Sequence, residues 1–283
     1  MATPAIENIV NFYNDVEITF IGSFVSIEAL KNHPKVVKTV VLSKKYTDLY
    51  RTSRELGNFD AFLSFRSSFH SKFLKFLISA QYKYQFDKNQ YKNCHQVEKY
   101  NNFINDSLNT NLPAKKLVLH IKNSKLQIKN SLLPLLGINP GASYGSAKRW
   151  YPHEFAKVAS ELHDRYDIVI FGGEGEKDIA NDIEKELVKN NTKNYQNLAG
   201  KTSITELIDY IANLDLFITG DSGPMHVAAA FQVPTVAIFG PTKDNETSQW
   251  MNEKSIIVKK SLDCQPCMKR TCPLGHHDCM NLI

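Results

Sequence analysis

The chain has 283 residues, which at roughly 100–200 residues per domain predicts one large domain or two of about 140. With 42% hydrophobic and 22% charged residues, its composition is that of a soluble globular protein and excludes a disordered, collagen-like or coiled-coil chain. No window approaches 18 consecutive apolar residues, the opening residues lack the basic start of a signal peptide, and five cysteines are too few for a disulfide framework, so the chain reads as cytoplasmic.

The net charge of +5 is unevenly spread: residues 1–134 hold 19 Lys/Arg and 10 Asp/Glu, residues 135–283 hold 15 and 19. Either this is surface scatter or the first half faces an anionic partner. No Arg/Lys run or RNA-binding signature points to nucleic acid.

In chain order, strands are expected at Val16–Ile21, Val36–Leu42, Asp60–Phe65, Tyr82–Phe86 and Leu117–Ile121, because these runs are β-branched or aromatic and bounded by polar residues. Helices are expected near 3–13, 24–31, 45–56, 67–79 and 94–108. Strands separated by helices imply right-handed βαβ units and a parallel sheet. Residues 122–131 show no clear period and read as a linker, dividing the chain into domains 1–131 and 132–283.

The second half repeats the pattern. Strands are expected at Leu133–Asn139, Ile168–Phe171, Leu216–Thr219 and Thr235–Phe239. Helices are expected at Pro152–Tyr166, with Pro152 in the first turn, at Glu176–Lys189, at Ser203–Ala212 with Ser203 and Glu206 as a capping box, and at Gly223–Phe231. The fold class is therefore α/β, with two doubly wound domains facing a cleft. Ligands in such sheets bind outside the carboxyl ends of the strands.

Each of these strands ends in a small-residue loop: Asn139-Pro-Gly-Ala-Ser143, Phe171-Gly-Gly-Glu-Gly175, Thr219-Gly-Asp-Ser-Gly-Pro224 and Phe239-Gly-Pro-Thr242. Glycine also simply turns a chain, but four such loops at successive strand ends suggest a phosphate-bearing ligand held by backbone N–H groups and helix N-termini. There is no Walker A pattern, and Phe171–Gly175 does not fit G-x-G-x-x-G, which disfavours a nicotinamide oxidoreductase. In Gly220-Asp-Ser-Gly-Pro-Met-His226, Asp221 sits at the sheet edge, Ser222 and Gly223 open the next helix, and His226 lies one turn in. The structural alternative is an N-cap and a core histidine. Lys148 and Arg149 either neutralise a diphosphate leaving group or form a solvated pair beside a core Trp150. Glu176, or Glu174, is positioned to accept hydrogen bonds from ribose hydroxyls.

Four of the five cysteines, Cys264, Cys267, Cys272 and Cys279, lie within 16 residues that also hold His276 and His277. The ligand types allow a structural zinc site, with a reduced or partly disulfide-linked packing cluster as the alternative. In the first half, Arg66, His70 and Lys72 follow a strand and either meet an anionic acceptor or form a basic helix start.

The segments Asn139–Trp150, Asp221–Ala230 and Phe239–Thr242 resemble glycosyltransferase family 9, the ADP-heptose:lipopolysaccharide heptosyltransferases, of GT-B fold. Residues 267–280 resemble the heptosyltransferase II branch. The resemblance implies inverting transfer of heptose from ADP-heptose to the lipopolysaccharide inner core, with no cofactor required and only peripheral contact at the inner membrane's cytoplasmic face. It implies that Lys148 neutralises the diphosphate, that Asp221, Ser222 and Gly223 hold donor phosphates and sugar with His226, Gly141 and Thr242 nearby, and that Glu176 binds ribose. Arg66 and Lys72 are the candidates for acceptor contact.

Family members open with a strand and a Gly-Asp loop before a helix that resembles Met1–Ile9. No residue here matches that loop Asp, the family's proposed base, and relatives continue past Ile283 into a closing helix. The expectation is a first domain incomplete at its N-terminus. Met1 would then be internal to a longer frame, or the chain a nucleotide-sugar-binding remnant of weak or no activity.

Overall fold

The computed structural model describes residues 1–43, 45–121, 133–141 and 144–283. The linker expected over 122–131 lies outside the described residues, as do Ala142 and Ser143. The chain forms two compact units, Met1–His120 and Ile121–Ile283.

Unit 1 alternates helix and strand: α1 (Thr3–Phe12), β1 (Ile18–Gly22), α2 (Phe24–Leu30), β2 (Val36–Val41), α3 (Tyr46–Glu55), β3 (Asn58–Ser64), α4 (Phe69–Leu77), β4 (Ser79–Gln85) and α5 (Gln96–Leu108). The described strands pair in parallel as β1–β2 and β3–β4. Among the described residues, two small cores hold the unit. Ala5, Ile9, Phe86, Phe103 and Ile104 join α1 to α5, and Leu49, Leu74 and Ile78 join α3 to α4.

The segment 117–121, expected as a strand, forms no ladder. Leu117 is buried, but the Val118 N–H donates to Thr3 Oγ1 (3.1 Å) rather than to a neighbouring strand. A short apolar run satisfies its burial equally well as an extended coil, and periodicity does not separate the two.

Unit 2 is one six-stranded parallel sheet. Its strands are β5 (Leu135–Asn139), β6 (Asp167–Ile170), β7 (Tyr195–Asn197), β8 (Leu216–Gly220), β9 (Thr235–Phe239) and β10 (Ser255–Lys259). Their order across the sheet is β10-β9-β8-β5-β6-β7. The helices are α6 (Pro152–Leu162), α7 (Lys177–Lys189), α8 (Ile204–Ala212), α9 (Gly223–Ala230), α10 (Asp244–Thr247) and α11 (Asp278–Asn281).

Both faces of the sheet are covered, as an all-parallel sheet requires. Successive strand residues point to opposite faces. Leu136, Ile138, Ile168 and Ile170 accordingly pack in one core with Phe155 and Ile183 of α6 and α7. Leu135, Val169, Phe171 and Phe217 pack in the other with Ile211 of α8 and Ala228 of α9. From β5 the chain winds one way through β6 to β7, then returns to β8 on the other side of β5. The strand order therefore reverses between β5 and β8, and a crevice opens outside their carboxyl ends.

Candidate functional site

The crevice between β5 and β8 is lined by polar side chains from three strand ends. Asn139 closes β5 and is buried. Its Nδ2 lies 3.4 Å from Thr219 Oγ1 and 3.5 Å from Ser222 Oγ, and the two hydroxyls are 3.1 Å apart. These contacts tie the end of β5 to the loop after β8.

Asp221 follows β8. Its carboxylate accepts a bond from Lys148 Nζ at 2.5 Å and one from Thr242 Oγ1 at 2.6 Å. Lys148 belongs to a short 3-10 turn, Ser146–Lys148, and Thr242 to the loop after β9. One carboxylate thus gathers three loops far apart in sequence. The side chains of Lys148 and Asp221 are 12% and 7% exposed, so the pair lies in a different energetic regime from surface ion pairs. An exposed pair contributes about 0–1 kcal/mol, whereas removing one partner of a buried pair costs about 3–5 kcal/mol because the other charge stays behind. The solvated-pair alternative for Lys148 is set aside by this burial, while Trp150 is a core residue packed on Phe155 at a 4.9 Å ring distance.

Ser222 is the N-cap of α9, and Gly223 is exposed at its first turn, with open space where a side chain would stand. The N–H groups and positive dipole end of α9 therefore point at solvent beside Asp221. His226 lies half-buried one turn further along. Glu176 and Glu174 separate clearly. Glu174 is an exposed partner of Lys177 at 2.5 Å. Glu176 accepts a bond from the Gly173 N–H at 2.8 Å, and its carboxylate lies where any side chain at 141 would stand. Gly141 is required here by the close approach of an acidic group, not by a turn.

The Cys-rich segment docks on this site. The Ala147 N–H donates to Arg270 O at 3.0 Å, and Gly145 sits so close to the Arg270 backbone that no side chain fits. Tyr144 Oη donates to Met268 O at 2.8 Å, while Lys148 Nζ and the Arg270 guanidinium lie 4.7 and 5.4 Å from the Tyr144 ring centre. His277 bridges Tyr151 Oη and Ala147 O, each at 3.0 Å. Because a carbonyl only accepts, Nε2 carries a proton, and in a neutral ring Nδ1 then accepts from the tyrosine. The roles of Tyr144, Arg270 and His277 escape sequence reasoning, since partners more than 100 residues apart leave no local signal.

Cys264, Cys267 and Cys272 gather around Cys279, and no cysteine is in a disulfide. Burial first, then the neighbouring sulfurs, push the Cys279 thiol up to about 11. The Cys272 thiol is held below its ordinary value, chiefly by the His277 N–H. Among the described residues, the group with three ligand atoms within 4.8 Å of one another is not these cysteines but Glu7, His33 and His120 of unit 1. There the Lys35 N–H donates to His33 Nδ1 (3.1 Å) and His33 Nε2 lies 3.1 Å from Glu7 Oε1. A neutral His33 so arranged carries its proton on Nε2 and donates it to the carboxylate, while Nδ1 is taken by the Lys35 N–H, so neither ring nitrogen offers a lone pair to an ion.

Arg66 lies exposed just after β3, its carbonyl accepting from Ser71 Oγ at 3.1 Å. Lys72 lies exposed in the first turns of α4. Both belong to unit 1, whereas Lys148, Asp221, Ser222, Gly223, Thr242, Gly141 and Glu176 cluster within unit 2.

The sequence profile of glycosyltransferase family 9 (heptosyltransferase) matches residues 49–277. A lipooligosaccharide heptosyltransferase 2 of Campylobacter jejuni subsp. jejuni serotype O:2 is 44% identical over 288 aligned positions, covering 99% of this chain and 89% of the relative. The lipopolysaccharide heptosyltransferase 2 of Escherichia coli K12 is 33% identical over 145 positions, 51% of this chain and 41% of the relative. Among solved structures, E. coli ADP-heptose lps heptosyltransferase II matches with a TM-score of 0.78 at 22% identity, over 94% of this chain and 91% of that one. E. coli heptosyltransferase WaaC with ADP matches at 0.72 and 15% identity, over 90% and 88%.

The parallel α/β units share the GT-B fold of these solved heptosyltransferases. The chain belongs to glycosyltransferase family 9, and within it the enzyme is heptosyltransferase II-like.

Proposed function

We propose that the chain transfers heptose from ADP-heptose to the inner core of lipopolysaccharide, with inversion, at the cytoplasmic face of the inner membrane. The observation that carries this reading is the Lys148–Asp221–Thr242 cluster beside the open N-terminus of α9, in a chain closely similar to a lipooligosaccharide heptosyltransferase.

An acceptor hydroxyl attacks the anomeric carbon and gives up its proton to a carboxylate base, and the bond to ADP breaks as negative charge builds on the diphosphate. Catalysis then depends on fixed positive groups placed where that charge develops. The Lys148 ammonium has three protons. Asp221 offers its Oδ2 and, at 3.4 Å, its carbonyl oxygen, which leaves one proton for a phosphate oxygen. Asp221 acts by holding Lys148 and the loop carrying Thr242 in register. The Ser222 and Gly223 N–H groups supply further donors to the phosphates, as helix N-termini do. Glu176, held against Gly141, accepts hydrogen bonds from the ribose. Arg66 and Lys72 contact the anionic groups of the acceptor. No helix among the described residues is long and apolar enough to cross a membrane, which suits an enzyme that meets a glycolipid from one side.

The test is titration calorimetry with ADP together with turnover of ADP-heptose. Lys148→Ala and Asp221→Asn should each lower turnover by about 10²–10³-fold, the cost typical of removing one preorganised charge-stabilising group. ADP affinity should fall in both. Unchanged ADP affinity in both variants overturns the donor-site assignment.

A further inference from the structure

The strongest feature outside the donor site is the outward face of α4 in unit 1. Leu74 faces inward, with Ile78 just beyond the helix, and both pack on Leu49 of α3. On the opposite side, Phe69, Lys72 and Phe76 stand at i, i+3 and i+7, which places them on one stripe of the helix. Phe69 is 74% and Phe76 79% exposed. Side chains that hydrophobic are rarely left in water without a use when they are grouped. The stripe is not isolated. Tyr46 of α3 touches the His70 and Phe73 rings at centroid distances of 5.1 and 5.2 Å, and Tyr46 and Tyr50 are themselves exposed. The two helices thus present one aromatic surface.

Charge identifies what covers it. Between residues 45 and 77 the sequence holds Lys45, Arg51, Arg54, Arg66, Lys72 and Lys75 against Asp48, Glu55 and Asp60. A symmetric contact between two copies would set this basic surface against itself. An anionic bilayer surface instead matches both components: phenylalanines enter the acyl boundary while lysines beside them reach the headgroups. At nine residues, α4 is far too short to span a bilayer and suits lying in its plane.

We propose that the α3–α4 face, centred on Phe69 and Phe76 and flanked by Lys75, docks unit 1 on a membrane rich in anionic phospholipid. This surface is argued from unit 1 alone and stands apart from the donor-site reading.

The test is cosedimentation of the full chain with phosphatidylcholine vesicles, with and without about one-third phosphatidylglycerol. Wild type should bind the anionic vesicles, weaken as salt rises, and bind the neutral vesicles at least 10-fold less. The double variant Phe69→Ser with Phe76→Ser should lower partitioning at least 10-fold, and Lys75→Glu should weaken anionic binding alone. Phe69 and Phe76 are exposed and Lys75 is half-buried beside them, so melting temperature and ADP affinity should hold, which separates lost docking from lost folding. A Phe69→Trp variant should show an emission blue shift with anionic vesicles. The proposal is overturned if wild type ignores anionic vesicles or if the double variant binds them as wild type does. It is also overturned if wild type forms dimers without lipid that the double variant abolishes, since the face would then be an interface between copies.

Discussion

Asp221 shows how much a single carboxylate does at the sheet edge. It accepts from Lys148 and Thr242 at once, so the two donors are not equivalent in consequence. Thr242→Val deletes one neutral donor while the ion pair remains. By the ordinary worth of a hydrogen bond, about 1 kcal/mol, ADP binding should weaken about 5-fold. A loss as large as that of Asp221→Asn, measured side by side by calorimetry, would mean that Thr242 touches the ligand itself. The residue types of this cluster are legible in the sequence, because each follows a strand and a glycine. Their mutual contacts are not. Nothing local to Lys148 says that its counter-ion lies 73 residues away, or that Glu176 rather than Glu174 presses against Gly141. That choice follows from the 3-10 turn Glu174–Glu176, which sends Glu174 out to Lys177 and turns Glu176 in.

At the scale of elements, local chemistry explains most boundaries. Ser203 and Glu206 open α8 with the expected reciprocal bonds: the Glu206 N–H donates to Ser203 Oγ at 3.2 Å, and the Ser203 N–H donates to Glu206 Oε2 at 2.7 Å. The backbone bond from Ser203 holds the Glu206 carboxyl below its ordinary value. A group depressed on folding stabilises the fold above its unfolded pKa and loses that contribution as pH falls through the folded value. Glu206→Ala should therefore cost a few tenths to about 1 kcal/mol at neutral pH. The gap between variant and wild type in urea titrations should close as pH drops below the normal glutamate range. A gap that persists at low pH would mean that the side chain acts through packing.

Other elements carry no such local signature. The strand β7 and the helices α10 and α11 go unread in the sequence because each holds only three or four residues, and β10, as long as β8 and β9, goes unread as well. Strands β7 and β10 exist because an edge position beside β6 or β9 completes a ladder. The residue types of the Cys-rich segment allow either a structural zinc site or a packing cluster. In the structure the Arg270 and Met268 carbonyls and the His277 ring brace the turn that carries Lys148 and the residues just before it.

At the scale of the molecule, each unit encloses its own cores, and the residues proposed to hold the donor all lie in unit 2. A ligand that binds only the folded state raises stability by mass action, about 2.7 kcal/mol at 100 times its Kd. ADP at that concentration should raise the calorimetric transition of unit 2 by about 5–10 °C and leave that of unit 1 in place. An equal shift of both transitions, or none, would count against a donor site built from unit 2 alone.

By itself the sequence determined the alternation of strands and helices, the parallel α/β class, the capping of α8 and the glycine-bearing loops at the strand ends. All of these are written in periodicities and residue types a few positions apart. The basic surplus of the first half was visible too, but only as a sum. The tertiary structure alone decided that β8 returns beside β5, so that Asp221, Lys148 and Thr242 meet at one crevice. It also decided that 117–121 stays outside the sheets and that Phe69 and Phe76 face outward beside lysines. The physical reason is common to all three. Which partner a strand, a charge or an apolar face meets depends on chain crossings over scores of residues, and local patterns carry no record of them.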